Sequence, residues 1–320
     1  MRDTGRITEM FQKKIPLHHR KADDIECVNM ISRITWMIPF IFVFLWSTGF
    51  IGAKYALAYI EPFTLLLVRM LLTLCILLFW ALFRVKRWPS INQAKHQIAV
   101  GMLIHGAYLG GVFAAIKLGL PAGITAIIVG VQPVLTVLIS VFWFHQKISN
   151  RQYSGFICGL LGVVGTIGLT QGFSDFTFAP AAVVCALTAL LGITLGSLYQ
   201  KKQGASVDLL AGIVWQYLGC CIIMAILSFG FESQRIDWSF TLIAALAWLI
   251  LALSIVSISL LMYLIREGEV SKVASYFYLV PIVASIEAWW LFDETLNLPA
   301  LVAMGVTVFG VYLVISKKDS

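Results

Sequence analysis

Charge is scarce in this chain. Only 12% of its 320 residues are Asp, Glu, Lys or Arg, about half of the roughly 25% carried by an average soluble protein. A folded surface with so little charge cannot be wetted, which excludes an ordinary soluble domain. Sets of residues that catalysis would require are missing too. There is no HExxH, no GxSxG, no pair of aspartates at membrane depth and no glycine-rich phosphate loop. Ser254, Ser257 and Ser259 share their half of the chain with no histidine, so an intramembrane hydrolase lacks its base and the chain reads as a non-enzyme. The six cysteines (Cys27, Cys75, Cys158, Cys185, Cys220 and Cys221) form no CxxC or Cys/His ligand spacing, and five lie inside apolar runs. They predict packing, with no metal, no cofactor and no disulfide framework. A ring of repeated polar filter groups, which a channel needs, is also lacking.

What the chain has is apolar length. Hydrophobic residues make up 60% of it and mean hydropathy is +0.90. Apolar runs fall near 36–58, 62–83, 98–117, 122–144, 153–171, 179–199, 209–229, 239–265, 273–292 and 299–316. At about 20 residues per span these predict ten transmembrane helices and leave no room for a second globular domain. The runs are continuously apolar, where a lipid-facing strand alternates over roughly ten residues. Backbone hydrogen bonds must close within each segment in lipid, so the expected class is an all-α polytopic membrane protein.

Net charge is +7, but the basic residues lie in short gaps between apolar runs, which excludes a nucleic-acid face and makes the charge a topology signal. Taking the N-terminal tail and every second gap as one side, that side holds nineteen Lys and Arg. The other holds three, Lys54, Lys117 and Arg235, with Arg69 inside a span. The imbalance predicts both termini in the cytoplasm. Merging or dropping one span would destroy the alternation. Ala56-Leu57-Ala58 resembles a signal-peptide cleavage site, but secretory apolar regions run about 7–15 residues and this one is longer. Residues 1–34 mix Asp23, Asp24 and Glu26 with basic residues and hold nothing to build a core, so a disordered cytoplasmic tail is expected. Translation starting at Met30 would still leave Arg33 as a positive anchor.

A shift of 148 residues lays Pro133 on Pro281, Ala126 on Ala274, Gly162 on Gly310 and Phe144–Ile148 on Phe292–Leu296. Shifts of 147 and 145 lay Arg69 on Gln216 and Lys54 on Tyr199. The chain therefore reads as two copies, 35–172 and 178–316, of five spans each. An odd number makes the second copy enter the membrane from the opposite face. Two inverted five-helix repeats are the architecture of carriers with a midplane site exposed alternately to either side.

The runs Phe44-Leu45-Trp46-Ser47-Thr48-Gly49-Phe50 and Ala274-Ser275-Tyr276-Phe277-Tyr278-Leu279-Val280-Pro281, with Leu291-Phe292-Asp293-Glu294-Thr295-Leu296, resemble EamA-type members of the drug/metabolite transporter superfamily over about residues 33–316. The resemblance implies a ten-helix carrier of the bacterial inner membrane, often an exporter of amino acids or related small metabolites. Three positions depart from the family's pattern: Gln146 stands where an acidic residue is usual, Asp293 replaces a common glycine, and Glu287 occupies a place usually small or apolar. A lipid or amphipathic-drug flippase on the same fold is the alternative, and an intramembrane enzyme a remote one.

Polar groups inside spans mark where a mechanism can lie, because they are costly unless paired or wet. Arg69 and Glu287 each lie six or seven residues from the outer end of a span, roughly 10 Å deep at 1.5 Å per residue. Arg69 is a candidate for a substrate carboxylate and Glu287 for proton exchange; a structural ion pair is the alternative. His105 shares a helix face with Tyr108 and is a second proton-coupling candidate, or else an interhelical contact. Gln132 and Gln216 offer amides, and Trp46 and Tyr276 lie deep enough to wall a cavity. The substrate-binding candidates are thus Trp46, Arg69, Tyr108, Gln132, Gln216 and Tyr276. Pro133 and Pro281 each remove a hydrogen bond in mid-span, as matched hinges or static bends would. Gly155-x3-Gly159 and Gly192-x3-Gly196 predict close helix packing. The expected partners are a small-molecule substrate and the bilayer, with a monomer and a homodimer both open.

Overall fold

The computed structural model describes the backbone of residues 22–120, 125, 128–145, 147–171, 179–204, 206–292 and 298–316. Side chains are described from Met37 onward, except at Phe50, Lys54, Phe144, Ile167, Thr170, Gln171, Ser285, Ala288 and Phe292. Ala126, Gln146, Asp293–Leu296, the linker and tail residues 1–21 lie outside the described residues.

The helices follow the apolar runs, except that α1 starts at Ala22, so residues 22–34 of the tail expected to be disordered are helical. They are α1 (Ala22–Ala56), α2 (Pro62–Arg84), α3 (Ile91–Lys117), α4 (Gln132–Phe144), α5 (Asn150–Gln171), α6 (Pro180–Gln203) and α7 (Leu209–Phe231), then α8 (Phe240–Glu267), α9 (Val270–Tyr276), α10 (Leu279–Phe292) and α11 (Leu298–Ile315). Local chemistry sets several starts. Pro62 and Pro180 open α2 and α6 where their missing N–H is not needed. Ser90 and Gln93 close a reciprocal capping box on α3, and the side chains of Asp208 and Ser239 accept the N–H groups of Ala211 and Leu242 to cap α7 and α8.

Among the described residues, seven helices are long and apolar enough to cross a membrane, α9 and α10 counting as one. Shorter apolar stretches cover Met37–Ala53 and Ile128–Trp143. The only β pairing among these residues is an isolated bridge between Ile60 and Ile236. Phe83, Phe142, Phe229, Phe240 and Trp290 stand exposed, as side chains bathed in lipid do. The chain is a polytopic all-α membrane protein.

Two features were hidden from helical periodicity. Met102–Leu109 inside α3 and Leu249–Ser257 inside α8 are π-helical, a rare form often found at functional sites. The first residues of these segments are 147 apart, the offset that lays Arg69 on Gln216. The prolines also differ from expectation. Pro133 is the second residue of α4, and Pro281 is the third of α10, just past the break at Phe277–Tyr278. The first four N–H groups of a helix have no partner within it, so each proline sits where its loss of a donor costs nothing, beside a break instead of inside a bend.

Several helix pairings recur when the halves are exchanged. α3 packs on α6 and α7 while α8 packs on α1 and α2; α4 meets α6 while α10 meets α1; α2 meets α7 and α5 meets α11. Small residues permit these crossings. A Cβ on Gly310 would lie 2.5 Å from Gly159 N and 2.6 Å from Gly155 O, and one on Gly192 would lie 2.8 Å from Leu103 O. Both GxxxG pairs therefore lie at helix crossings.

Candidate functional site

A buried polar cluster forms where α2, α3, α7 and α8 meet. Arg69, seven residues past Pro62, is 4% exposed. Its Nε donates to Ser254 Oγ at 2.8 Å. Tyr217 donates its hydroxyl proton to the backbone carbonyl of the same serine at 2.6 Å. His105 stacks on the Tyr217 ring, centroids 4.9 Å apart and planes 10° from parallel, with both ring nitrogens buried and without a hydrogen-bond partner. Ser254 and His105 belong to the two π segments, whose widened turns bring α8 and α3 to the site. Among the described residues no carboxylate forms an ion pair with Arg69.

One residue before Tyr217, Gln216 donates through Nε2 to Gln97 Oε1 at 2.7 Å and Gln200 Oε1 at 3.3 Å, tying α7 to α3 and α6. An aromatic wall extends the other way. Trp46 stacks with Tyr108, centroids 6.3 Å apart, and meets Phe277 edge to face at 5.3 Å. Phe42 joins both Trp46 and Phe277, and half-buried Tyr276 packs against this core. Next to Trp46, Ser47 is hydrogen-bonded to Glu287 at 2.7 Å. Arg69 and Glu287 therefore engage different serines, Ser254 of α8 and Ser47 of α1, instead of each other. Gln132 is buried with its carbonyl oxygen unpartnered.

Sequence reasoning singled out Arg69, His105, Gln216, Trp46, Tyr108 and Glu287, and the π segment of α3 joins the Trp46–Tyr108 wall to the His105–Arg69 cluster. It missed Tyr217, Gln97, Gln200, Phe42 and Phe277. The polar ones carried a signal, an amide or hydroxyl within an apolar run; Phe277 stood only as one residue of the run Ala274–Pro281, and Phe42 had no signal among so many aromatics. Among the described residues no three His, Cys, Asp or Glu side chains converge as a metal site would need.

The EamA-like transporter family model matches this chain twice, over residues 33–168 and 180–316. The chain belongs to the EamA-like transporter family. It is therefore a membrane transporter of the drug/metabolite transporter superfamily. The transporter YvbV of Bacillus subtilis is 28% identical over 292 residues, covering 90% of this chain and 93% of its own. The inner membrane transporter YedA of Escherichia coli K12 is 26% identical over 270 residues, 84% and 87% of the two chains. A protein of Salmonella typhimurium described as "Probable amino-acid metabolite efflux pump" is 24% identical over 292 residues, 88% and 95%. A solved structure titled "Crystal structure of protein" superposes with a TM-score of 0.72 at 21% identity, covering 87% of this chain and 95% of that one; it is a likeness of fold.

In this EamA-like transporter a second polar network lies at the end where α2 begins. Glu232, at the end of α7, accepts the N–H groups of Phe63 (2.8 Å) and Thr64 (2.7 Å) and the Thr64 hydroxyl (2.8 Å), so a carboxylate sits on the positive end of α2. Lys117 bridges Glu61 (3.2 Å) and Glu232 (3.8 Å). Ser233 donates its hydroxyl and its N–H to Glu61; with Lys117 these hold the Glu61 carboxyl below its ordinary range against the opposing effect of burial. A cavity of about 460 Å³ opens beside this clasp, between residues 57–62, Phe113, Ile116, Lys117, Arg235 and Asp237.

Proposed function

We propose that this protein is a secondary-active exporter of amino acids or related small polar metabolites, working by alternating access between two inverted repeats of five helices each. The single observation that carries the reading is Arg69, a guanidinium sunk between four helices that is hydrogen-bonded to Ser254 and, among the described residues, ion-paired to no carboxylate. An isolated buried charge is expensive, and a transporter recovers that cost when an anionic group of its substrate arrives. Trp46, Tyr108 and Tyr276 wall the approach, and Gln216 and Gln132 supply amides for the polar remainder of the solute. The matched π segments, the matched prolines at breaks and the helix pairings that recur on exchange of the halves support ten spans divided at 35–172 and 178–316. The charge imbalance supports a bacterial inner membrane setting with both termini in the cytoplasm. The Salmonella relative's printed description supports the substrate class.

The test compares metabolites inside and outside bacteria expressing the intact protein or Arg69→Ala at matched membrane levels. Amino acids or similar solutes should accumulate in the medium only with the intact protein. Unchanged media, with labelled lipids or amphipathic dyes crossing reconstituted vesicles instead, would replace this reading by a flippase.

A further inference from the structure

On α1, Ser47 Oγ lies 2.7 Å from the Phe44 carbonyl and 2.7 Å from Glu287 Oε1 of α10. A hydroxyl has one proton to give. The carbonyl has none, so both contacts are full hydrogen bonds only when Ser47 donates back along its own helix, as helical serines do, and accepts from a protonated Glu287. The other carboxyl oxygen, Oε2, is buried without a partner. A bare oxygen of that kind is tolerable as the carbonyl of a neutral acid, and much costlier on an ion.

Among the described residues no Lys, Arg or His is ion-paired to Glu287, and the Arg151 guanidinium at the start of α5 lies over the Tyr312 ring instead. Neither α5 from Tyr153 to Gln171 nor α11 from Leu298 to Ile315, both packed on α10, carries an Asp, Glu, Lys, Arg or His. On α9, Lys272 is bound to Glu269 at 3.1 Å. On α1, Lys54 lies two turns beyond Ser47, roughly 10 Å along the axis. We propose that Glu287 and Ser47 form a proton-binding site, and that the bound proton holds the seam between α1 and α10 shut.

When the O–H bond of Glu287 breaks, its proton passes to a water molecule. The carboxylate left behind draws water into the seam, because Ser47 alone can give it one donor. α1 then moves from α10, carrying Trp46 away from Tyr108 and opening the aromatic wall. The coupling to transport rests on the alternating-access reading above; the proton itself does not.

Infrared difference spectra of the full chain in lipid nanodiscs test the site without a substrate. Near neutral pH the intact protein should show the carbonyl stretch of a buried protonated carboxyl group, lost in Glu287→Gln and moved to higher frequency in Ser47→Ala. If Glu287→Gln does not fold, the shift in Ser47→Ala decides alone. A spectrum without that band, or a band unmoved by the variants that fold, overturns the proposal. In vesicles given a mixture of the common amino acids, flux through the intact protein should rise several-fold with an imposed pH gradient, and flux through Glu287→Gln should ignore it. Flux through the intact protein that ignores the gradient refutes the coupling. A band without any amino-acid flux refutes the amino-acid reading and leaves the proton site standing.

Discussion

Replacing Arg69 by Met separates a residue kept for transport from one kept for stability. Met is unbranched, flexible and close to Arg in volume, so most of the pocket stays filled while the guanidinium is removed. Burying an ion costs several kcal/mol even after relaxation, and the Nε bond to Ser254 returns about 1.5–3 kcal/mol as a hydrogen bond to a charged group. The difference leaves Arg69→Met more stable than the parent by about 1–3 kcal/mol, a melting rise of roughly 2–6 °C at about 2 °C per kcal/mol for a large chain. Export should fall to background in the same variant, a trade of activity for stability. Melting in detergent, followed by tryptophan fluorescence, and export from cells are the paired measurements. A melting temperature several degrees lower with export intact would refute the argument and make Arg69 a structural residue.

Gly310→Leu should be severe, because the atoms facing a new Cβ are backbone atoms of Gly155 and Gly159, which cannot rotate away; about 3 kcal/mol of overpacking should remove most of the folded protein from membranes, as fluorescence-detected size exclusion would show. His105→Phe keeps the stack on Tyr217 and removes two buried unpartnered nitrogens, so melting should hold or rise; a loss of export with normal folding would then assign the imidazole a task in transport. The Glu61 carboxyl is held below its ordinary range by Ser233 and then Lys117, so the native state binds its proton less readily than the unfolded state. Its contribution is complete above the ordinary carboxylate range and disappears as pH falls through the lowered native value. Glu61→Gln should therefore narrow the gap in melting temperature between neutral and acid pH, and an unchanged gap would show that the clasp holds without it.

Much of the architecture was readable because lipid imposes a simple rule. Continuous apolar runs must be helices there, and the observed helices track most of those runs, although α1 begins well before its own. The caps at Ser90, Asp208 and Ser239 use short polar side chains at the chain's entries to its helices. The prolines were legible as a matched pair but not as neighbours of breaks, since a run such as 273–292 has the same hydropathy whether or not Phe277 and Tyr278 interrupt it. The π segments had no local signature, because one extra residue in a turn leaves composition unchanged.

The sequence by itself determined the solvent of the fold, the helical class, the charge imbalance between alternate gaps and a repeat near 148 residues. Each depends on composition or on spacing along the chain. Only the tertiary structure decided that Arg69 meets Ser254, 185 residues away, that His105 lies on Tyr217, and that Glu287 finds Ser47 instead of Arg69. A buried polar group chooses its partner by which helix faces cross, and those crossings are set by glycine contacts and π turns distributed over both halves.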